Sequence, residues 1–203
     1  MLSELFRKVL DAEYTHTDKE RVSYAYEVRG GVLTILFEES NGAADWANNF
    51  AFPVKPYRDM EDKWHCHGGF LRAWKDVEPF LRGQIMSPSI HTIRIAGYSH
   101  GAAVALLCHE YCHYHRPDCA VIGYGFGCPR VIWGRLRKAV KERLLGFVVV
   151  RIKGDLVTHV PPAILGYKHS STVLRIGGHT HYGMINAHRP ESYIIELERS
   201  ERL

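Results

Sequence analysis

The chain lacks any apolar run approaching the roughly 18–20 residues that a membrane-spanning helix requires, so contact with lipid would be made from the water side. It also lacks a block of lysine or arginine. Its net charge of +4 is a mild excess, and no nucleic-acid footprint is read from it. Cysteine is scarce and odd in number: the five residues Cys66, Cys108, Cys112, Cys119 and Cys128 show no disulfide-framework spacing. Reduced thiols in a cytoplasmic protein are therefore expected. The opening residues Met1-Leu2-Ser3-Glu4-Leu5-Phe6-Arg7-Lys8 contain neither an uninterrupted apolar core nor a small-residue cleavage site, and no signal peptide is predicted. Internal repeats, low-complexity tracts and interdomain linkers are missing too.

What remains is an ordinary globular composition, 46% hydrophobic and 24% charged over 203 residues. That length suits a single domain spanning residues 1–203, with a core of useful size. Leu2, Leu5, Phe6, Val9 and Leu10 recur at helical spacing and predict a short amphipathic helix. Two strand candidates, 24–28 and 32–37, flank Gly30-Gly31 and read as a β-hairpin. Residues 50–57 carry Pro53 and Pro56 and predict an extended or irregular segment. His67-Gly68-Gly69-Phe70 opens a helix with Phe70, Ala73, Trp74 and Val77 on one face, and Pro79 predicts a break in it. Further strand candidates fall at 90–96, 120–126, 147–152 and 172–176, with helix candidates at 101–115 and 131–145. In the second helix, Leu136, Val140 and Leu144 form the apolar stripe. Residues 190–197 fit a closing helix or a last strand. Strands alternating with helices predict an α/β fold with a mostly parallel sheet, and the front hairpin adds antiparallel strands at one edge.

Chemistry concentrates at Gly97-Tyr98-Ser99-His100-Gly101. This is a G-x-S-x-G sequence between a strand candidate and a helix candidate, the context of a nucleophile elbow. The flanking glycines answer a steric need, because a tight strand-to-helix turn leaves no room for side chains beside a strained nucleophile. A serine hydroxyl is a weak nucleophile at neutral pH. It needs a base within hydrogen-bond reach, and the base needs an acid to orient it. Asp155 directly follows a strand candidate and is favoured as the acid over Asp118, which precedes its strand. The base is not decided by position: His159, His169, His179, His181 and His188 all follow Asp155.

The chain resembles the class 3 lipases, the fungal-lipase-like branch of the α/β-hydrolases, through six motifs in order across roughly residues 24–197. The segment from Phe37-Glu38-Glu39-Ser40 to Asp45-Trp46 resembles the family's F-R-G-[ST]-x₄-D-W, and His67-Gly68-Gly69-Phe70 its H-x-G-F. The stretch from Arg94 to Ala103 resembles its T-G-H-S-L-G-G-A elbow, and Gly125-Phe126-Gly127-Cys128-Pro129-Arg130-Val131 its G-x-P-R-V preceded by an aromatic. Asp155-Leu156-Val157 through Pro161-Pro162 resembles the acid-bearing D-x-V-x-x-x-P-P loop, and His188 through Tyr193 the H-x₂₋₄-Y that holds the family's histidine. The resemblance implies Ser99 as nucleophile, Asp155 as orienting acid and His188 as general base. It further implies an oxyanion hole of the Ser40 and His100 backbone N–H groups, helped by the Ser40 hydroxyl, and a movable lid near residues 41–52. An acyl ester or lipid substrate follows, with transient contact at a lipid interface and no metal or organic cofactor.

Three positions depart from the family pattern: Glu39 in place of glycine, Tyr98 in place of histidine and His100 in place of leucine. Two other readings compete with ester hydrolysis. One is a structural zinc site drawn from Cys108, His109, Cys112, His113, His115 and Cys119, although Cys108 falls on an apolar stripe with Val104 and Tyr111. The other is a non-catalytic binding protein on the same fold.

Overall fold

The computed structural model of the chain describes residues 1–17, 22–38, 53–170, 172–177, 183 and 186–202. Helix α1 (Leu2–Asp11) leads into strands β1 (Thr15–His16), β2 (Ser23–Arg29) and β3 (Val32–Phe37). Two short strands, β4 (Val54–Tyr57) and β5 (Trp64–His67), precede the long helix α2 (Gly68–Ile85). Then follow β6 (Thr92–Tyr98), α3 (His100–His115), β7 (Ala120–Phe126), β8 (Ile132–Trp133), α4 (Lys138–Arg143) and β9 (Phe147–Ile152). The described chain closes with β10 (Tyr167–Lys168), β11 (Thr172–Ile176) and α5 (Pro190–Glu201).

Seven strands form the main sheet in the order β1-β2-β3-β6-β7-β9-β11. From β3 to β11 every neighbouring pair is parallel, while β1, β2 and β3 pair antiparallel at the edge. Gly30 and Gly31 turn the hairpin with φ of +53° and +74°, as a two-residue turn matched to strand twist demands. Alternation along each strand sends its side chains into two layers. Leu33, Ile35, Phe37, Ile93, Ile95, Phe147 and Val149 pack beneath α2 and α3. Leu36, Ala96, Tyr98, Phe126, Val150 and Ile152 pack beneath α1 and α5. In this second layer the Phe6 ring touches Tyr98, Phe126 and Tyr193 at centroid distances of 5.3, 4.7 and 5.7 Å. The N-terminal helix thereby braces three aromatic side chains that adjoin the site.

Three expectations need correction. Pro79 does not break α2, which runs unbroken through it. The buried stripe Phe70, Ala73, Trp74, Val77, Leu81 and Ile85 continues on both sides of it. Pro79 and Lys75 both lie on the exposed side, where water reaches the carbonyl that the proline leaves unpaired. The helix anticipated at 131–145 shrinks to α4, because Ile132 is drawn into sheet pairing with Cys66 and Lys168 and Gly134 sits at φ +68°. Leu136, Val140 and Leu144 are nonetheless all buried. The segment read as extended or irregular at 50–57 is extended over Val54–Tyr57 but is more than a loop, since β4 there pairs with β5 despite Pro56. As an edge strand β4 tolerates a residue with no N–H. It belongs to a four-stranded sheet ordered β10-β8-β5-β4, built from segments that follow β3, β7 and β9. Its strands of two to four residues are too short to carry a period-2 signal.

Replacing Pro79 by alanine removes a helix-interior proline penalty of about 3 kcal/mol, offset by roughly 0.4–1 kcal/mol of unfolded-chain rigidity that the proline supplies. Pro79→Ala is expected to raise the unfolding free energy by about 2 kcal/mol in urea titrations. An unchanged or lowered value would contradict this account of the helix.

Candidate active site

The elbow forms where β6 ends and α3 begins. Ser99 adopts φ 54° and ψ −120°, and it is the one non-glycine residue at positive φ among the described residues. A backbone of this kind costs of order 1–3 kcal/mol and persists only where its surroundings enforce it. Here the Ser99 N–H donates to the Phe126 carbonyl at 2.9 Å, and α3 is buried at every residue from His100 to Cys112. The two glycines are required by backbone. A Cβ at position 97 would lie 2.4 Å from the Gly101 carbonyl oxygen, and one at 101 would lie 2.4 Å from that of Glu38 and 2.5 Å from that of Phe37. None of these atoms belongs to a side chain that can swing aside.

Asp155 follows β9 after a turn at Gly154, whose φ is +91°. The carboxylate is fully buried and therefore depends on donors. It has three: the Val157 N–H to Oδ1 at 2.9 Å, the Tyr193 hydroxyl to Oδ2 at 2.6 Å, and His188 Nδ1 to Oδ2 at 2.9 Å. Burial, with the Asp155 carboxylate next in weight, holds the Tyr193 phenol well above its ordinary range, so it remains a donor. On the other side of the imidazole, His188 Nε2 lies 2.8 Å from Ser99 Oγ. With Nδ1–H committed to Asp155, Nε2 presents its lone pair to the serine O–H. The structure thus brings together Ser99, Asp155 and His188, the three residues that the motif resemblance assembles.

Room for the histidine comes from Gly127, at φ +59°, where a Cβ would sit 2.9 Å from His188 Cε1. Tyr98 lies on the His188 ring, with centroids 5.1 Å apart and planes 21° from parallel. Tyr193, Gly127 and Tyr98 receive no separate role from sequence reasoning. Tyr193 carries a signal in its place within the H-x₂₋₄-Y motif, and Gly127 in its place before Cys128-Pro129. The stacking of Tyr98 has none.

The other histidines separate cleanly. His159 is turned to the Asp155 backbone carbonyl through Nδ1 at 2.8 Å, and His169 Nε2 lies 2.7 Å from the Thr158 carbonyl. His179 and His181 lie outside the described residues, as do Ser40, Glu39 and the 41–52 segment read as a lid. His100 opens α3 directly after Ser99, with its ring buried against Phe70 at 5.4 Å. Burial, with His67 nearby, pushes its imidazole down to about 4. The zinc reading finds no geometry: among the described residues no three His, Cys, Asp or Glu side chains converge to hold a metal. Cys108 and Cys112 lie in the core with Sγ atoms 3.9 Å apart, behaving as small hydrophobes.

A mostly parallel sheet with a strained serine at a strand-to-helix turn, and an acid and a histidine on later segments, defines an α/β-hydrolase fold. The chain belongs to the class 3 lipase family, whose model, Lipase (class 3), matches residues 34–165. It is 27% identical over 163 residues to a Fusarium solani protein named secreted mono- and diacylglycerol lipase 1. That match covers 78% of this chain and 45% of the relative, so the chain spans about half the length of the curated relative. Among solved structures it is similar to the lipase from Rhizopus microsporus var. chinensis, with a TM-score of 0.71 at 20% identity, covering 94% of this chain and 72% of that one. It is also similar to a triacylglycerol lipase described as having a serine protease triad as its catalytic centre, with a TM-score of 0.68 at 20% identity over 82% and 66% of the two chains.

The expected cytoplasmic location does not stand, since the Fusarium relative is named a secreted lipase. Four of the five free cysteines are buried, so their number reflects packing and carries no record of redox surroundings.

Burial, chief among the causes, also pushes His109 down to about 3 and His169 down to about 4. For His100, His109 and His169 the folded pKa lies below the ordinary value of 6.5. The unfolded chain therefore binds more protons between about pH 6.5 and pH 3, and stability rises with pH across that window. It is fully present above about pH 6.5 and is lost as acid is added. Urea unfolding should show this decline in the wild type and a shallower one in His109→Leu. Equal slopes in the two proteins would contradict it.

Proposed function

We propose that the chain is a carboxylic ester hydrolase of the lipase type, acting on acyl esters through an acyl-enzyme intermediate, and that residues 1–203 work as one catalytic domain. One observation carries the reading: the unbroken hydrogen-bond chain from Ser99 Oγ through His188 to buried Asp155, set at a strained elbow. In this reading His188 Nε2 takes the serine proton as Oγ attacks the ester carbonyl carbon. Charge then develops on the carbonyl oxygen, and the backbone N–H groups of His100 and Ser40 receive it. Each such donor is worth roughly 3–4 kcal/mol. His188 returns the proton to the departing alcohol. Water next attacks the acyl-enzyme with His188 as base, releasing the acid and restoring Ser99. Asp155 holds the imidazole in the tautomer that both steps use. No step calls for a cofactor.

Membership of the lipase family supports a lipid ester as substrate. The name of the Fusarium relative favours mono- and diacylglycerols within that class. Contact with a lipid surface, with residues 41–52 as the covering lid, completes the proposal. Among the described residues no helix is long and apolar enough to cross a membrane.

On a short p-nitrophenyl ester, Ser99→Ala and His188→Ala are each expected to lose at least about 10⁴-fold in kcat while melting as the wild type does. Activity retained in His188→Ala but lost in His181→Ala would overturn the assignment of the base. With glycerides of increasing chain length, interface contact predicts a jump in rate beyond the solubility limit, and a smooth saturation curve would place the activity on dissolved esters.

A further inference from the structure

The residue before the nucleophile makes two contacts with the base that the triad itself does not require. Tyr98 is 1% exposed, and its ring lies nearly parallel to the His188 imidazole. Its hydroxyl also donates to the backbone carbonyl of His188. The elbow therefore holds His188 through consecutive residues, Ser99 at the ring nitrogen and Tyr98 at both the ring face and the main chain.

Tyr98 is in turn fixed on its remaining sides. The Phe6 ring meets it edge-on at 5.3 Å and the Tyr193 ring at 5.9 Å. A Cβ built on Gly127 would approach Tyr98 Cε2 to 3.3 Å, so the space between Tyr98, Gly127 and His188 holds no further carbon comfortably. A ring packed this closely has little freedom to tilt, and the imidazole lying on it shares that constraint. His188 sits in a single 3-10 turn, Asn186–His188, just before α5, so its local helical structure supplies little rigidity of its own.

We propose that Tyr98 is a positioning residue for the general base, its hydroxyl anchoring the His188 main chain to the elbow while its ring sets the plane of the imidazole. The proposal rests on the hydrolase reading above. Its consequence is that the alignment of nucleophile and base is built into one dipeptide, and that rate depends on the Tyr98 hydroxyl although no substrate touches it. A misplacement approaching 1 Å between reacting groups costs on the order of a hundredfold in rate. Loss of one of the two anchors should cost less than loss of both.

The test uses Tyr98→Phe, which keeps the ring and removes the donor, and Tyr98→Leu, which removes both. Wild type and His188→Ala are run in parallel on the same p-nitrophenyl ester. Functional sites are counted from the burst of p-nitrophenol, and kcat is expressed per titrated site. We expect kcat per site to fall about tenfold in Tyr98→Phe and about a hundredfold in Tyr98→Leu, with KM within about twofold of wild type. A packing role alone would lower the number of titrated sites or the melting temperature and leave kcat per site unchanged, which would overturn the proposal. A rise in KM at constant kcat would overturn it too, because Tyr98 would then be contacting substrate. The near-isosteric Tyr98→Phe keeps the test open if Tyr98→Leu does not fold. An inactive wild type, or a His188→Ala variant as active as wild type, would instead sink the hydrolase reading and this proposal with it. Normal loss in His188→Ala with wild-type kcat per site in Tyr98→Phe would sink this proposal alone.

Discussion

Ser99 occupies a backbone conformation that side chains rarely adopt, and much of the molecule is arranged so that it must. The turn is closed above by the Gly101 backbone and below by the end of β3, whose carbonyls approach so near that position 101 can carry no side chain. Neighbouring strand β7 pins the serine N–H through Phe126. The small residues that open α3, Ala102 and Ala103, are wholly buried, which lets the helix lie close against the sheet. Strain of order 1–3 kcal/mol at one residue is small against the burial of such a helix. The turn is therefore paid for by the core, and the serine hydroxyl is left projecting at the carboxyl end of the parallel strands.

The parallel sheet then determines which other segments can reach that hydroxyl. Strand β9 ends beside it and delivers Asp155 through a turn at Gly154. The histidine arrives by a different route, from the turn that precedes α5, and α5 contributes Tyr193 to the same carboxylate. His188 and Tyr193, on either side of the start of α5, thus converge on one buried acid, and α1 braces the surroundings by packing Phe6 against Tyr98 of β6 and Tyr193 of α5. Loss of packing in the N-terminal helix would be felt at the site, although no residue of α1 belongs to the triad.

Much of this is legible in the amino-acid order, for identifiable reasons. Strands β7, β9 and β11 are short stretches rich in β-branched and aromatic residues, set off by polar or glycine-bearing turns, and their limits are readable to the residue. Pro79 misleads because the rule for proline is local, whereas α2 is held by a buried stripe extending on both sides of it. The small second sheet escapes notice because two-residue strands such as β8 and β10 exist only through their partners. At the site, Ser99 and Asp155 follow from strand-end logic, but the choice of His188 among five histidines rests on motif resemblance. Its physical basis lies in contacts distant in sequence, with Asp155 33 residues away and Ser99 89 residues away. The Tyr98–His188 stacking spans a similar distance and has no local signature. Cysteine number misleads about compartment because a thiol in a core serves packing whatever the redox state outside.

The central claim is that Ser99 is the one activated nucleophile of the chain. The direct measurement is reaction of the native protein with a fluorophosphonate, followed by mass-spectrometric mapping of the modified residue. The account predicts one phosphonyl group per chain, on Ser99, with none on the protein unfolded in urea. Modification of another residue in the native protein, or a natively folded chain that takes up no phosphonyl group, would contradict it.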